Sequence, residues 1–241
     1  MTLNIALEGS DGLILATDSR GTIGDPRGLT AVNDIQKKLF KLTDYSGITI
    51  AGSSELAATL IDKLMKQIQN THSTDDIANL ASNFMKQEYQ SWFGVRQWVT
   101  TAPVIDNRPF INFILAGYNK TTGGGQPRIY LINSQMDFVS QLCPSGYMLA
   151  GIPQYATYLL HRFYDRRMTI KNLTSLAAYL ITETATQDPK VGGPIRMAQI
   201  TPGEGFKELE EAVITDVVKR NEEQNQKLRQ FFFKEAQNGP Q

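Results

Sequence analysis

The 241-residue sequence predicts an α+β fold in which two mostly antiparallel sheets are faced by helices. Three observations predict it. Clusters of short apolar, partly β-branched runs alternate with paired segments whose apolar residues recur at helical spacing. Asp11-Gly12 joins the first two runs with the sequence of a tight hairpin. Hydrophobic residues make up 41% of the chain, enough for a large core, and no internal repeat of solenoid period is visible. A single domain spanning 1–241 is expected.

The elements follow in order. LNIAL and LILAT form the opening strands around EGSDG. A polar, glycine-bearing loop from Ser19 to about Asn33 leads to KKLFKLT, and Tyr45-Ser46-Gly47 turns the chain into ITIAG, a second strand pair. After Gly52-Ser53-Ser54, Leu56, Leu60, Ile61, Leu64, Met65 and Ile68 mark a serine-capped helix. A second helix starts at Ser73 or Thr74, with Asp75 and Asp76 favouring its positive end and Ile77, Leu80, Ala81, Phe84 and Met85 on one face. FINFILAGYN, RIYLIN, FVSQLC and GYMLAG read as strands, with TTGGGQP an exposed loop; no helix opens after it, so it is no phosphate cradle. IPQYATYLLHRFY and TIKNLTSLAAYLITETA read as helices, IRMAQIT as a strand, and a long last helix starts at about Lys207. That helix ends near Phe231, Phe232 and Phe233, which cannot all share one face, so a neighbouring subunit or local packing is expected to cover some of them.

Composition excludes several function classes. Lys and Arg total 24, as do Asp and Glu, so no basic surplus points to nucleic acid. The single cysteine, Cys143, allows no intramolecular disulfide and fits a reducing compartment. No signal-peptide pattern and no apolar run of membrane-spanning length is visible, so a cytoplasmic protein is expected. His72 and His161 are the only histidines, too isolated for a zinc cluster or a histidine-based triad, and read as a surface and a helix residue. No metal and no cofactor is expected. The chemistry must rest on other groups.

The second residue supplies one. Removal of Met1 would give Thr2 a hydroxyl and a free α-amine, a nucleophile carrying its own base. Thr2 begins the first strand, the second ends in Ala16-Thr17-Asp18-Ser19-Arg20, and Lys37-Lys38-Leu39 and Ile50-Ala51-Gly52-Ser53 follow in order. On these motifs and their spacing the chain resembles proteasome β-type subunits, over roughly its whole length in element order and most strongly over its first seventy or so residues. With neither an extra N-terminal helix nor a propeptide beyond Met1 expected, it looks like the bacterial stand-alone branch of self-assembling proteasome homologues.

The resemblance implies a four-layer αββα sandwich of the Ntn-hydrolase kind, and a set of roles. Thr2 is the nucleophile. Lys38 lies beside it, pairs with Asp18, keeps the amine neutral and favours the alkoxide. Gly52 matches the oxyanion-hole position, where the lack of a side chain lets a backbone amide approach the substrate carbonyl. Asp188 belongs to a later Asp-x-x-Ser-Gly-Gly motif, read here as Asp188-Pro189-Lys190-Val191-Gly192-Gly193. Two positions depart from the family pattern: Ala150 and Val191 stand where it has serines, which points to a slow enzyme. The expected function is a threonine-type endopeptidase acting through an acyl-enzyme. Its partners are copies of itself in a ring or related homo-oligomer and a peptide or unfolded protein substrate; neither nucleic acid nor a membrane is among them. The alternatives are a peptide ligase or transpeptidase using the same nucleophile and a degenerate structural ring subunit. The sequence does not say whether an ATPase unfoldase serves it.

Overall fold

The computed structural model describes residues 2–24, 30–95, 107–121 and 124–237. In chain order the elements are β1 (Leu3–Glu8), β2 (Leu13–Thr17), β3 (Gly21–Gly24), β4 (Thr30–Asn33), β5 (Leu39–Thr43), β6 (Ser46–Gly52), α1 (Ser54–Met65), α2 (Thr74–Phe93), β7 (Ile111–Thr121), β8 (Gly124–Asn133), β9 (Gln141–Leu142), β10 (Tyr147–Gly151), α3 (Gln154–Phe163), α4 (Ile170–Gln187), β11 (Arg196–Thr201), β12 (Gly205–Glu208) and α5 (Glu211–Gln237).

The hairpin at Asp11-Gly12 seeds the first five-stranded sheet, ordered β10-β1-β2-β11-β12. Every neighbouring pair in it is antiparallel. The second sheet runs β5-β6-β7-β8-β9, also antiparallel throughout. Because side chains alternate across a strand, each sheet has two buried faces to cover. Leu3, Ile5 and Leu7 of β1 pack against Leu160, Leu173, Ala177 and Ile181 of α3 and α4 and Ile214 of α5. On the other side, Ile48, Ile50 and Phe113 pack against Leu60, Ile61, Leu64 and Ile77 of α1 and α2. Between the sheets lie Ala6, Leu13, Leu15, Leu39, Ile114, Ala116 and Ala150. The result is a four-layer helix-sheet-sheet-helix sandwich, an α+β fold with the layering that the resemblance implies. Each fully buried Leu, Ile or Phe contributes roughly 1.5–3 kcal/mol of burial free energy, so the three apolar layers dominate its stability.

Local chemistry sets the boundaries. A reciprocal cap starts α2: the Asp76 N–H donates to Ser73 Oγ at 3.1 Å and the Ser73 N–H donates to Asp76 Oδ2 at 2.9 Å. Four expectations are corrected. The last helix starts at Glu211 rather than near Lys207, because Gly205–Glu208 forms β12 against β11. The FVSQLC strand shrinks to Gln141–Leu142, because Asp137 and Phe138 both adopt positive φ after a 3-10 turn at Ser134–Met136. Most of TTGGGQP is ladder rather than loop, since β7 and β8 pair as far as Thr121 and Gly124; residues 122–123 lie outside the described residues. Part of the loop between Ser19 and Asn33 is the small β3-β4 hairpin, with residues 25–29 outside those described.

Candidate active site

Thr2 stands one residue before β1, in the middle of the first sheet, so its position is set from both flanks. Its carbonyl accepts a 2.8 Å hydrogen bond from the Ile152 N–H, just after β10. The neighbouring Leu3 N–H donates to Asp18 Oδ1 at 3.1 Å, just after β2. Thr2 is 3% exposed.

Asp18 organises this end of the sandwich. It is fully buried and takes four donors: the Leu3 N–H and Lys38 Nζ on Oδ1, and the Arg20 and Gly192 N–H groups on Oδ2, all at 3.1 Å. A buried carboxylate survives only with such complete pairing. Lys38 is the matching cation. Its ammonium donates to Thr2 Oγ1, to Asp18 Oδ1 at 3.1 Å and to the Arg20 carbonyl at 2.6 Å, one acceptor for each of its three hydrogens. Burial pulls the Lys38 pKa below the ordinary 10.5, with the Asp18 charge opposing that pull. Lys37 is exposed, its Nζ 5.1 Å from the Phe40 ring centroid, so the adjacent lysines diverge although both precede β5.

Gly52 closes β6 ahead of α1 with φ +93°. A side chain there would be doubly excluded: the backbone is left-handed, and a Cβ would lie 2.1 Å from the Phe110 carbonyl oxygen. The Ser53 N–H caps that carbonyl at 2.8 Å, fixing the turn into the helix. Gly52, Thr2 and Lys38 line one cleft of about 390 Å³, together with Thr22, Ile50 and Glu55.

Asp188 sits at the end of α4. Its Oδ1 accepts from the Lys190 N–H at 2.9 Å and its carbonyl from the Val191 N–H at 3.1 Å. None of its hydrogen bonds among the described residues reaches Thr2, Asp18 or Lys38. The loop beyond α4 meets the site through backbone instead: the Gly192 N–H binds Asp18, and the Gly192 carbonyl accepts from the Ser19 N–H at 3.1 Å. Val191 faces away, fully buried in the apolar layer with Leu3 and Ala178.

Two relationships escaped the sequence reading. Arg20 pairs with Asp34 through Nε and Nη2 at 2.8 and 2.9 Å, and donates from Nη1 to the Pro189 carbonyl at 3.0 Å. This fork ties the β4 end of the hairpin to the loop after α4, and it holds the Asp34 carboxyl below its usual range. Asn4, two residues past Thr2, is fully buried and accepts a 2.7 Å hydrogen bond from Thr17 Oγ1. Only the cross-strand register, absent from a sequence, puts these two together. Among the described residues no group of three or more His, Cys, Asp or Glu is arranged to hold a metal, and no helix is long and apolar enough to cross a membrane.

Comparisons with known proteins place the chain in one family. A sequence model described as Proteasome subunit matches residues 2–200. The proteasome subunit beta of Methanosphaera stadtmanae is 26% identical over 208 residues, covering 83% of this chain and 86% of the relative. That of Methanocaldococcus vulcanius is 27% identical over 240 residues, covering 94% and 93%. Among solved structures, the Anbu (Gly-1) mutant from Hyphomicrobium sp. strain MC1 superposes with a TM-score of 0.72 over 97% of each chain, at 16% identity, a likeness of fold.

Proposed function

The chain belongs to the proteasome subunit family, and from that premise we propose that it is an N-terminal-threonine peptidase acting through an acyl-enzyme on Thr2. The observation that carries the reading is the Lys38 ammonium held between Thr2 Oγ1 and the buried Asp18 carboxylate. A threonine hydroxyl is a poor nucleophile, so it needs a base to take its proton and a positive field to hold the alkoxide. Removal of Met1 supplies the base as the Thr2 α-amine, whose ordinary pKa is ~7.7–8.0. Lys38 supplies the field without itself giving up a proton.

The steps follow. The amine takes the hydroxyl proton as Thr2 Oγ1 attacks a peptide carbonyl carbon. The oxyanion meets the Gly52 N–H in the cleft. The amine product leaves with the proton, and water hydrolyses the ester. Asp18 holds Lys38 in place, while Asp188 helps to fix the loop that delivers the Gly192 N–H to Asp18. Relatives bearing the proteasome subunit beta name support a self-assembled ring, and Phe231, Phe232 and Phe233, 53–72% exposed on α5, offer apolar surface for neighbouring copies.

The test is intact mass spectrometry of purified protein before and after a threonine-directed irreversible electrophile. The expected result is loss of Met1 and one adduct on Thr2, absent in Thr2→Ala. Retention of Met1 throughout, or no adduct, would leave the structural ring subunit as the reading. Release of joined peptides rather than hydrolysed ones would make the protein a transpeptidase.

A further inference from the structure

Glu55 stands apart among the charged groups of the cleft. It lies in the first turn of α1, three residues past Gly52, and lines the same cavity of about 390 Å³ as Thr2. The other charged side chain on that cavity is Lys38, whose three hydrogens go to Thr2 Oγ1, Asp18 Oδ1 and the Arg20 carbonyl, so it has none to offer a ligand. Nearby, Arg20 and Asp34 neutralise each other at 2.8 Å. Glu55 has no ion pair among the described residues; its one side-chain hydrogen bond there comes from Ser54 Oγ, onto Oε2 at 3.3 Å, and the residue is exposed. The remaining wall is polar without charge. The Gln36 carboxamide lies against Gly21, its Oε1 2.6 Å from where a Cβ on that glycine would stand, beside Thr22 and Asn33. The positive end of α1 opens on the same cleft, and the Ser53 side chain makes no cap there, but a helix terminus carries only about half a charge against the full charge of the carboxylate. With Lys38–Asp18 and Arg20–Asp34 each neutral as pairs, the balance in the cleft is negative.

Resting on the peptidase reading, we propose that Glu55 sets a substrate preference: the residue whose carbonyl Thr2 attacks carries a cationic side chain, lysine or arginine, and the Glu55 carboxylate meets its charge. That carbonyl must lie between Thr2 Oγ1 and the Gly52 N–H, so the side chain next to it is the first part of the substrate to enter the cleft. Glu55 is three residues from Gly52, at most about 10 Å of chain, a span that the long stem of lysine or arginine covers together with the side chain of the glutamate itself. Ile23, 67% exposed on the β3 wall, gives that stem apolar surface while the head stays wet. The donor pattern is right as well. An ammonium or guanidinium only donates, and the carboxylate and the carboxamide oxygen of Gln36 accept. An acidic side chain would instead meet a like charge, which selects against it. Because Glu55 reaches solvent, an apolar side chain can enter without stranding a buried charge, so the preference is graded rather than absolute: roughly 5- to 10-fold, between the worth of an exposed ion pair and that of a hydrogen bond to a charged group.

The experiment compares rates of Thr2 labelling by three irreversible peptidyl electrophiles that differ only in the residue bearing the reactive group: lysine, its uncharged analogue norleucine, or glutamate. Wild type, Glu55→Gln and Glu55→Lys are labelled side by side and read by intact mass spectrometry, with circular dichroism as a check on fold. In wild type the lysine probe is expected to react roughly 5- to 10-fold faster than the norleucine probe, and the glutamate probe slowest. Raising the ionic strength should shrink the lysine-to-norleucine ratio, since the pair is open to solvent. In Glu55→Gln that ratio is expected to fall to about one, and in Glu55→Lys the glutamate probe should overtake the lysine probe. An acidic residue in a first turn also stabilises its helix, but that role would change all three rates together and leave their ratios alone. Lysine and norleucine probes within twofold of each other in wild type overturn the proposal, as does a lysine preference that survives in Glu55→Gln. If one variant does not fold, the other and the salt dependence of wild type decide by the same ratios. No labelling of wild type by any of the three would instead overturn the peptidase reading beneath it.

Discussion

The Lys38 ammonium and the Asp18 carboxylate sit 3.1 Å apart, with side chains 3% and 0% exposed. Neither stays charged there without the other, and the third party is the Thr2 hydroxyl. Lys38→Ala removes the one cation on Oγ1, and acylation of Thr2 is expected to fall ~10²–10³-fold, the usual loss for one preorganised electrostatic group. Lys37→Ala, whose ammonium lies over Phe40 in solvent, is expected to leave the rate unchanged. Labelling kinetics of the two variants side by side decide it; equal rates would remove Lys38 from the mechanism.

Asp18→Ala should be felt first as lost stability. It leaves Lys38 buried without a counter-ion and strips an acceptor from three backbone N–H groups, those of Leu3, Arg20 and Gly192. Breaking a buried pair from one side costs about 3–5 kcal/mol. Breaking the exposed Lys41–Asp44 pair with Lys41→Ala is expected to cost less than about 1 kcal/mol. Urea denaturation midpoints of the two variants should differ accordingly.

The pH dependence has two limbs. On the peptidase reading acylation needs the α-amine neutral, so the rate is expected to rise with pH as the amine gives up its proton. It falls again where Lys38 deprotonates, below the ordinary 10.5 because of burial. Stability moves with one sign. Native Lys38 binds its proton more weakly than the unfolded chain does, so its cost is fully present below its folded pKa. Stability therefore increases as pH rises between that pKa and 10.5. Burial pushes Tyr118 and Tyr164 up to about 12 while the unfolded chain ionises them near their ordinary ~10, so below that pH the increase should be present in wild type and missing in Lys38→Met.

Gly52→Ala tests the turn into α1. With φ at +93° and the Phe110 carbonyl in the way, the added methyl must displace the backbone, at a cost of at least about 1–3 kcal/mol. Acylation should drop along with thermal stability. A variant as stable and as fast as wild type would deny Gly52 its place at the oxyanion.

Val191→Ser tests whether the departure at this position slows the enzyme. The departure at this position points to a slow enzyme, but Val191 is fully buried among Leu3, Ala178 and other apolar groups, so a serine hydroxyl there has no path to Thr2. The substitution is expected to cost about 1–3 kcal/mol in stability and to bring no gain in rate; Thr2 labelling and thermal denaturation of the variant check both.

What the sequence made legible divides along range. The hairpin at Asp11-Gly12, the Ser73 cap and the apolar stripes of α1 and α2 are local signals, and the structure follows them. Thr2, Asp18 and Lys38 were picked out by resemblance to a family rather than by spacing, since nothing local says that residues 2, 18 and 38 meet. The Arg20–Asp34 fork and the Asn4–Thr17 bond were invisible because each depends on cross-strand register or on a hairpin inside an apparent loop. The direction of Val191 depends on how the chain leaves α4, where Asp188 ends the helix in extended backbone.

The position of β1 between β10 and β2 also dictates an order of events during synthesis. Leu3 and Gly151 are neighbours across that ladder, yet three of the five strands of the first sheet, β10, β11 and β12, are made much later. Thr2 and Asp18 are made long before Gly192, so Asp18 gains its Gly192 donor only when the loop after α4 has emerged. Long-range pairings of this kind are slow to form. A partly made chain thus holds Thr2 without its surroundings, and the Thr2–Lys38–Asp18 cluster is complete only as the domain nears completion.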